Sequence, residues 1–168
     1  MKHIKLDFKR NNKNPITLSA LITYRTGNWI YYRCNIPIIK QFFWFLYLLA
    51  DVVFVRIIGG GELPAKTKID CGLKLPHGVN GIIVHPDAVI GKNVTIMHQV
   101  TLGSVHTNGN VPPYIGDEVF IGAGAKIIGN ITVGNKARIG TNAVVIKDVT
   151  EQATAVGNPA RNILKHTS

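Results

Sequence analysis

The sequence predicts a mainly β chain wound as a parallel β-helix behind a short helical front segment, and three observations carry that prediction. Aliphatic residues recur every six positions at Ile115, Ile121, Ile127, Val133, Ile139 and Val145, a period that neither a helix nor an ordinary strand has. Glycine follows the aliphatic residue at Gly116, Gly122, Gly134 and Gly140, and a small or β-branched residue stands two before it at Val119, Ala125, Ile131, Ala137 and Ala143. Ahead of Gly59-Gly60-Gly61 the six-residue step is missing and the apolar spacing is helical. Self-similarity at so short a fixed step is the mark of a coil of repeats.

If each hexapeptide forms one short strand and one sharp turn, three consecutive hexapeptides close one triangular coil. The aliphatic residue then points inward and stacks on its equivalent one coil away, so the core is a column of rungs. Glycine beside the rung suits a corner that needs φ > 0 or close backbone approach.

Residues 1 to 14 are polar, basic and aperiodic, and read as a mobile arm. Pro15 to Arg33 reads as an amphipathic helix with Leu18, Leu21, Ile22, Trp29 and Tyr32 near one stripe and Thr17 or Ser19 as the cap. Asn35 to Pro37 breaks it. Ile38 to Ile58 is a second helix, apolar on almost every side. Lys40, Asp51 and Arg56 leave only the ten residues Gln41 to Ala50 without a charge. A bilayer crossing needs roughly 20. The prediction is therefore a buried helix, or one packed against a partner subunit or a membrane surface. Gly59 to Gly61 close it and divide the chain into residues 1–60, a basic arm and helical segment, and residues 61–168, the β-helix with its tail.

The repeats begin at once with Leu63, Ile69 and Leu75. Val84, Ile90, Ile96 and Leu102 resume the step after a nine-residue gap, and Ile115 follows after thirteen. Two insertions therefore interrupt the coil, Pro76 to Gly81 and Gly103 to Pro113, and insertions in a repeat array become surface loops where function tends to sit. Beyond Val145 come Asp148 to Gln152, the run Ala155 to Arg161, and a short tail.

At 168 residues and 46% hydrophobic the chain has enough apolar material for a core. Its net charge of +10 lies mainly in front: residues 1–60 carry nine Lys or Arg against Asp7 and Asp51, a net +7, and residues 61–168 carry +3. Such basicity suits an anionic membrane or a phosphorylated small molecule. Nucleic acid ranks last, since no nucleic-acid module is present in the sequence. Cys34 and Cys71 make no disulfide framework, and no apolar run follows the N-terminal charges as in a signal peptide. A cytoplasmic protein is expected, with the inner face of the membrane as the alternative.

Four runs carry a resemblance: Leu75-Pro-His77-Gly, Val100-Thr-Leu-Gly103, Ile121-Gly-Ala-Gly-Ala-Lys126-Ile-Ile-Gly-Asn130 and Val156-Gly-Asn-Pro-Ala-Arg161. Together they resemble the serine acetyltransferase branch of the hexapeptide acyltransferases. The resemblance implies a left-handed coil, acetyl-CoA as co-substrate without a metal, and active sites between the subunits of a homotrimer. Its catalytic histidine falls on His77. An alcohol attacks a thioester slowly unless a base takes its proton, and imidazole is poised to do so near neutral pH. By spacing, the family's orienting acid falls on Glu62, fifteen residues earlier and close to one coil away.

The family's Arg-His pair, which helps hold the amino-acid substrate, falls on Val111 and Pro112, and this departure weighs against serine. The short two-helix front segment also resembles enzymes that acetylate sugars for exopolysaccharide and capsule assembly. In that subset the pattern Thr95 to Gly103 also carries histidine. The expected function is acetyl transfer to a sugar hydroxyl of a polysaccharide or its precursor, with serine O-acetylation for cysteine biosynthesis as the alternative and a non-catalytic scaffold behind both. His98 and His106 are the acceptor-binding candidates. For acetyl-CoA the candidates are backbone groups of Gly103, Ala123, Ala125 and Gly140, with Lys126, Arg138, Lys147 and Arg161 near the phosphates. A zinc site of the kind found in carbonic anhydrases on this fold is not expected, because the histidines do not recur at the required close step.

Overall fold

The computed structural model describes residues 2–11, 14–105 and 109–163. Three helices, α1 (Lys2–Arg10), α2 (Pro15–Arg33) and α3 (Pro37–Ala50), precede the coil, and α3 runs on into a π-helical stretch, Asp51–Ile57. The coil then presents three faces of short parallel strands. The first face stacks Lys68–Ile69, Val89–Ile90, Tyr114–Ile115 and Thr132–Val133; the second stacks Thr95–Ile96, Phe120–Ile121, Arg138–Ile139 and Thr154–Gly157. The third stacks Ile83–Val84, Thr101–Gly103, Lys126–Ile128 and Val144–Val145. A last strand, Ala160–Ile163, folds back antiparallel on Thr154–Gly157 and ends the second face.

The stacking register follows from the spacing of the rungs. Ile115 pairs with Val133 and Ile127 with Val145, each pair separated by three hexapeptides, as the triangular coil requires. The first insertion adds three residues to that step, so Ile69 pairs with Ile90; the second adds seven, so Leu102 pairs with Ile127. All the rung residues are buried in one cluster, which also takes in Ala20, Leu21, Tyr24 and Val55 from the helices.

The glycines beside the rungs serve by close approach rather than by φ. A Cβ on Gly122 would lie 2.7 Å from the Thr141 nitrogen, and one on Gly134 would lie 2.5 Å from the Glu151 nitrogen, so only glycine lets successive coils meet there. The left-handed backbone positions of these corners fall instead on Glu118, Lys136 and Asn142.

The front segment departs from expectation at several points. The predicted mobile arm contains helix α1, which is tied down by buried polar groups. Asp7 is fully buried, pairs with Arg25 at 2.8 Å, and accepts from the Gly72 and Leu73 amides at 2.8 and 3.0 Å. Asn11 donates to the Leu73 carbonyl and accepts from the Leu75 amide. Helix α2 has the predicted bounds, but its cap is Asn14, which accepts from the Ile16 and Thr17 amides, and not Thr17 or Ser19. Its buried stripe is Thr17, Ala20, Leu21, Tyr24, Gly27 and Ile30, whereas Trp29, Ile22 and Tyr32 face out. The stripe is chosen by polar anchoring: the Tyr24 hydroxyl donates to the Thr67 carbonyl and accepts from the Ile69 amide, and burial pushes its pKa well above the ordinary phenol value. Gly27 sits against the Tyr47 ring, where a Cβ would come within 2.2 Å of the ring carbon.

The apolar second helix is not buried. Only Tyr47, Asp51 and Val55, one stripe, are covered, while most of its large hydrophobic residues face outward. Tyr47 anchors the stripe by accepting from the Ala65 amide at 3.2 Å.

Candidate active site

His77 lies in the first insertion, at the corner between the second and third faces, and is exposed. Its approach is rigid, because the Leu75 amide two residues earlier is held by Asn11. The insertion closes on itself through Gly78 N–H to the Leu75 carbonyl and Ile82 N–H to the Val79 carbonyl. It rests on the glycine linker through Gly81 N–H to the Gly60 carbonyl at 2.8 Å.

Directly above it stands His98. The two rings meet edge to face with centroids 5.0 Å apart. The contact follows from the coil, because His98 follows His77 at the same lengthened step that pairs Ile69 with Ile90 across the first insertion. The signal was present in the spacing, since residues ahead of the extra ones step by 21, Lys74 onto Thr95 as well as Ile69 onto Ile90. His98 Nδ1 is buried and has no hydrogen-bond partner among the described residues. Leaving a buried polar atom unpaired costs about 1–3 kcal/mol, so a bound molecule that satisfies it gains by doing so.

Glu62 lies beneath the insertion, its amide donating to the Ile82 carbonyl. Its carboxylate pairs with Arg56 at 3.1 Å and makes no hydrogen bond with His77 among the described residues. The expected dyad is thus not assembled here. The reason is Arg56, which also holds Asp51 at 2.9 Å and draws the acid toward the helix end. Both partners of the Arg56–Glu62 pair are about half exposed, and such pairs contribute at most about 1 kcal/mol.

The remaining candidates separate into groups. Gly103 ends a strand and pairs with Ile128, its carbonyl accepting from the Gly129 amide and so spent inside the coil. The amides of Ala125 and Gly140 are spent inside the coil, on the Gly122 and Ala155 carbonyls. Ala123, by contrast, stands at the His77–His98 corner on the next coil, and its amide makes no hydrogen bond among the described residues. Lys126 donates to the Gln99 carbonyl at 2.6 Å, and Arg138 lies over the Phe120 ring at 4.7 Å. Lys147 and Arg161 do come together, lining a groove of about 550 Å³ at the end of the coil with Asp148, Pro159 and Asn162. His106 lies outside the described residues. A groove of about 790 Å³ along the first face, between Arg33, Lys68 and Tyr114, contains none of these residues.

The second insertion is at another corner, between the third and first faces, where Asn110 approaches His85 at 3.5 Å. The third face separates the described residues of this insertion from the His77 corner. Among the described residues no cluster of three potential metal ligands occurs.

Comparison with known proteins gives the following. The family described as bacterial transferase hexapeptide (six repeats) matches residues 112–147. Serine acetyltransferase of Helicobacter pylori (strain ATCC 700392 / 26695) is 37% identical over 149 residues, covering 88% of this chain and 81% of the relative. Soybean serine acetyltransferase complexed with serine superposes with a TM-score of 0.81 at 31% identity, covering 96% of this chain and 68% of that one. A serine acetyltransferase in complex with CoA gives a TM-score of 0.75 at 32% identity, covering 96% and 66%. These matches correct the expectation of a sugar acceptor. That expectation leaned on the short front segment and on Val111-Pro112, yet the Helicobacter match is longer than the whole stretch from 61 to 168 and so includes part of the helices.

Proposed function

The chain belongs to the serine acetyltransferase family of hexapeptide-repeat acyltransferases, and from that membership we propose that it moves the acetyl group of acetyl-CoA to the hydroxyl of L-serine. The observation that carries the reading is the extent of the match, which runs through helices and coil alike. The enzyme is an acetyl-CoA-dependent acyltransferase; serine as its acceptor and the roles below are the proposal.

His77 is the general base. As the serine oxygen attacks the thioester carbonyl, the hydroxyl proton passes to His77; the new C–O bond forms, the C–S bond breaks, and the proton goes on to the departing CoA sulfur. His98 supports the charged imidazole through the edge-to-face contact and offers its unpaired Nδ1 to the acceptor. Glu62 serves as a reserve of negative charge beneath the insertion, since its exposed pair with Arg56 is weak enough to exchange. The free amide of Ala123 faces the reacting carbonyl or the pantetheine arm, and Lys147 with Arg161 meets the phosphates. Val111 and Pro112 bring no cation to the α-carboxylate of serine, so that group depends on other residues, His98 first among them.

The site completes itself in a trimer. The described residues of the two insertions stand at different corners of one prism, and a neighbouring subunit bringing its second insertion to the His77 corner would join them. The coil is left-handed in this reading, against the usual right-handed crossover of parallel strands.

Thiol release from acetyl-CoA tests the proposal directly. Serine-dependent release that falls sharply when serine is replaced by threonine or omitted is expected. Release no faster with serine than without any acceptor would remove serine from the reading.

A further inference from the structure

The helix Pro37–Ile57 is 21 residues long, and only 17% of its most apolar window is buried. Its exposed residues include Phe42, Phe45, Leu46, Leu49, Val53 and Ile57. At 3.6 residues per turn the exposed apolar positions cover roughly two thirds of the circumference. A patch of this kind on a soluble surface marks an interaction site.

We propose that this outer face docks in the plane of an anionic lipid bilayer. Three features of the fold select that occupant. The width of the arc comes first: a second copy of the chain, or a protein groove, covers one stripe of a helix, whereas lipid covers every side that is offered. A groove of about 280 Å³ between α2 and α3, lined by Ile22, Ile30, Phe43, Leu46 and Phe54, extends the same apolar surface.

The second feature is how the inner stripe is held. Tyr47 bonds to Ala65, Val55 belongs to the main core, and Asp51 is buried against Arg56 and the Tyr47 hydroxyl. A helix crossing the bilayer would have to leave those partners and carry Asp51 into hydrocarbon, so it lies on the membrane instead of spanning it.

The rim supplies the third. Trp29, Tyr31 and Tyr32 are exposed on the adjoining part of α2, amphipathic rings of the type that settle at a bilayer interface. Arg33 and Lys40 flank the start of the helix, and residues 1–60 carry a net +7 that favours anionic headgroups. The consequence is an acetyltransferase held at a membrane surface with the far coils, and the Lys147–Arg161 groove, directed away from the docking helix.

The test is sedimentation of the full-length protein with phosphatidylcholine vesicles made with and without phosphatidylglycerol, alongside sedimentation velocity without lipid. The wild type is expected to co-sediment with the anionic vesicles. Phe45→Glu/Leu49→Glu, both at exposed positions, should weaken partition by at least about tenfold, with acetyl-CoA thiol release unchanged as proof of folding. Arg33→Glu should weaken binding to anionic vesicles only. Failure of the wild type to sediment with anionic vesicles at low salt overturns the proposal. So does a double variant that breaks up a larger assembly while vesicle binding is unaltered, which would assign the face to a second copy.

Discussion

Asp7→Asn tests how the front segment holds the catalytic corner. The native carboxylate is fully buried and meets Arg25 at 2.8 and 3.3 Å, as well as the Gly72 and Leu73 amides. The amide of asparagine keeps one oxygen for the backbone donors but turns an N–H₂ toward the guanidinium, donor against donor. Arg25 is only 10% exposed, so its charge is left without a counterion in a poorly hydrated place. Breaking a buried pair from one side costs about 3–5 kcal/mol. The guanidinium keeps its bonds to the Ile69 and Asp70 carbonyls, both 2.6 Å, which puts the cost near the lower end. For a chain of this length each kcal/mol lowers Tm by roughly 2–4 °C, so a fall of about 6–12 °C is expected in a thermal scan. Arg25→Met added to Asp7→Asn should cost less than the two single effects combined, because neither charge is then stranded. A Tm within about 2 °C of wild type, or simple additivity in the cycle, would show that the pair does not dock α1.

Four further outcomes follow from the site. His77→Ala should lower kcat by two to four decades, as loss of a general base does; near-normal turnover would take the role from His77. His98→Phe preserves a ring against His77 and removes both nitrogens, so it should raise KM for serine more than it lowers kcat, and equal effects on the two would argue against acceptor contact. Lys147→Ala/Arg161→Ala should raise KM for acetyl-CoA by about tenfold, at roughly 1 kcal/mol or less for each exposed charge, while KM for serine stays put. Glu62→Gln should slow turnover only if the carboxylate leaves Arg56 for His77 in the working enzyme, and unchanged kcat would confine it to the pair seen here.

The coil was legible because its cause is local and repeated. A six-residue step places each aliphatic residue on an inner face, and the lengths of the two insertions set the longer steps at which Ile69 meets Ile90 and Leu102 meets Ile127. The front segment was less legible because its cause is distant. Nothing local makes α1 a helix: it has nine residues, too few to persist alone, and exists by virtue of Asp7 and Asn11 bonding to backbone more than sixty residues away. The stripe of α2 was misread for the same reason, since Tyr24 is drawn inward by the Thr67 carbonyl and not by hydrophobic periodicity. The site shows both limits at once. Spacing in the family's manner leads to Glu62 as the partner of His77, but Arg56, outside the repeats, claims the acid. The coil's own arithmetic leads elsewhere: the three extra residues after Leu75 lengthen that coil to 21 residues, so the residue above His77 is read 21 positions on, at His98, while Thr95 stacks on Lys74. The pair therefore belongs to the coil and not to the extra length of the insertion: deleting three residues between His77 and Gly81 shortens the His77–His98 and Ile69–Ile90 steps alike from 21 to 18 residues and should leave the rings stacked.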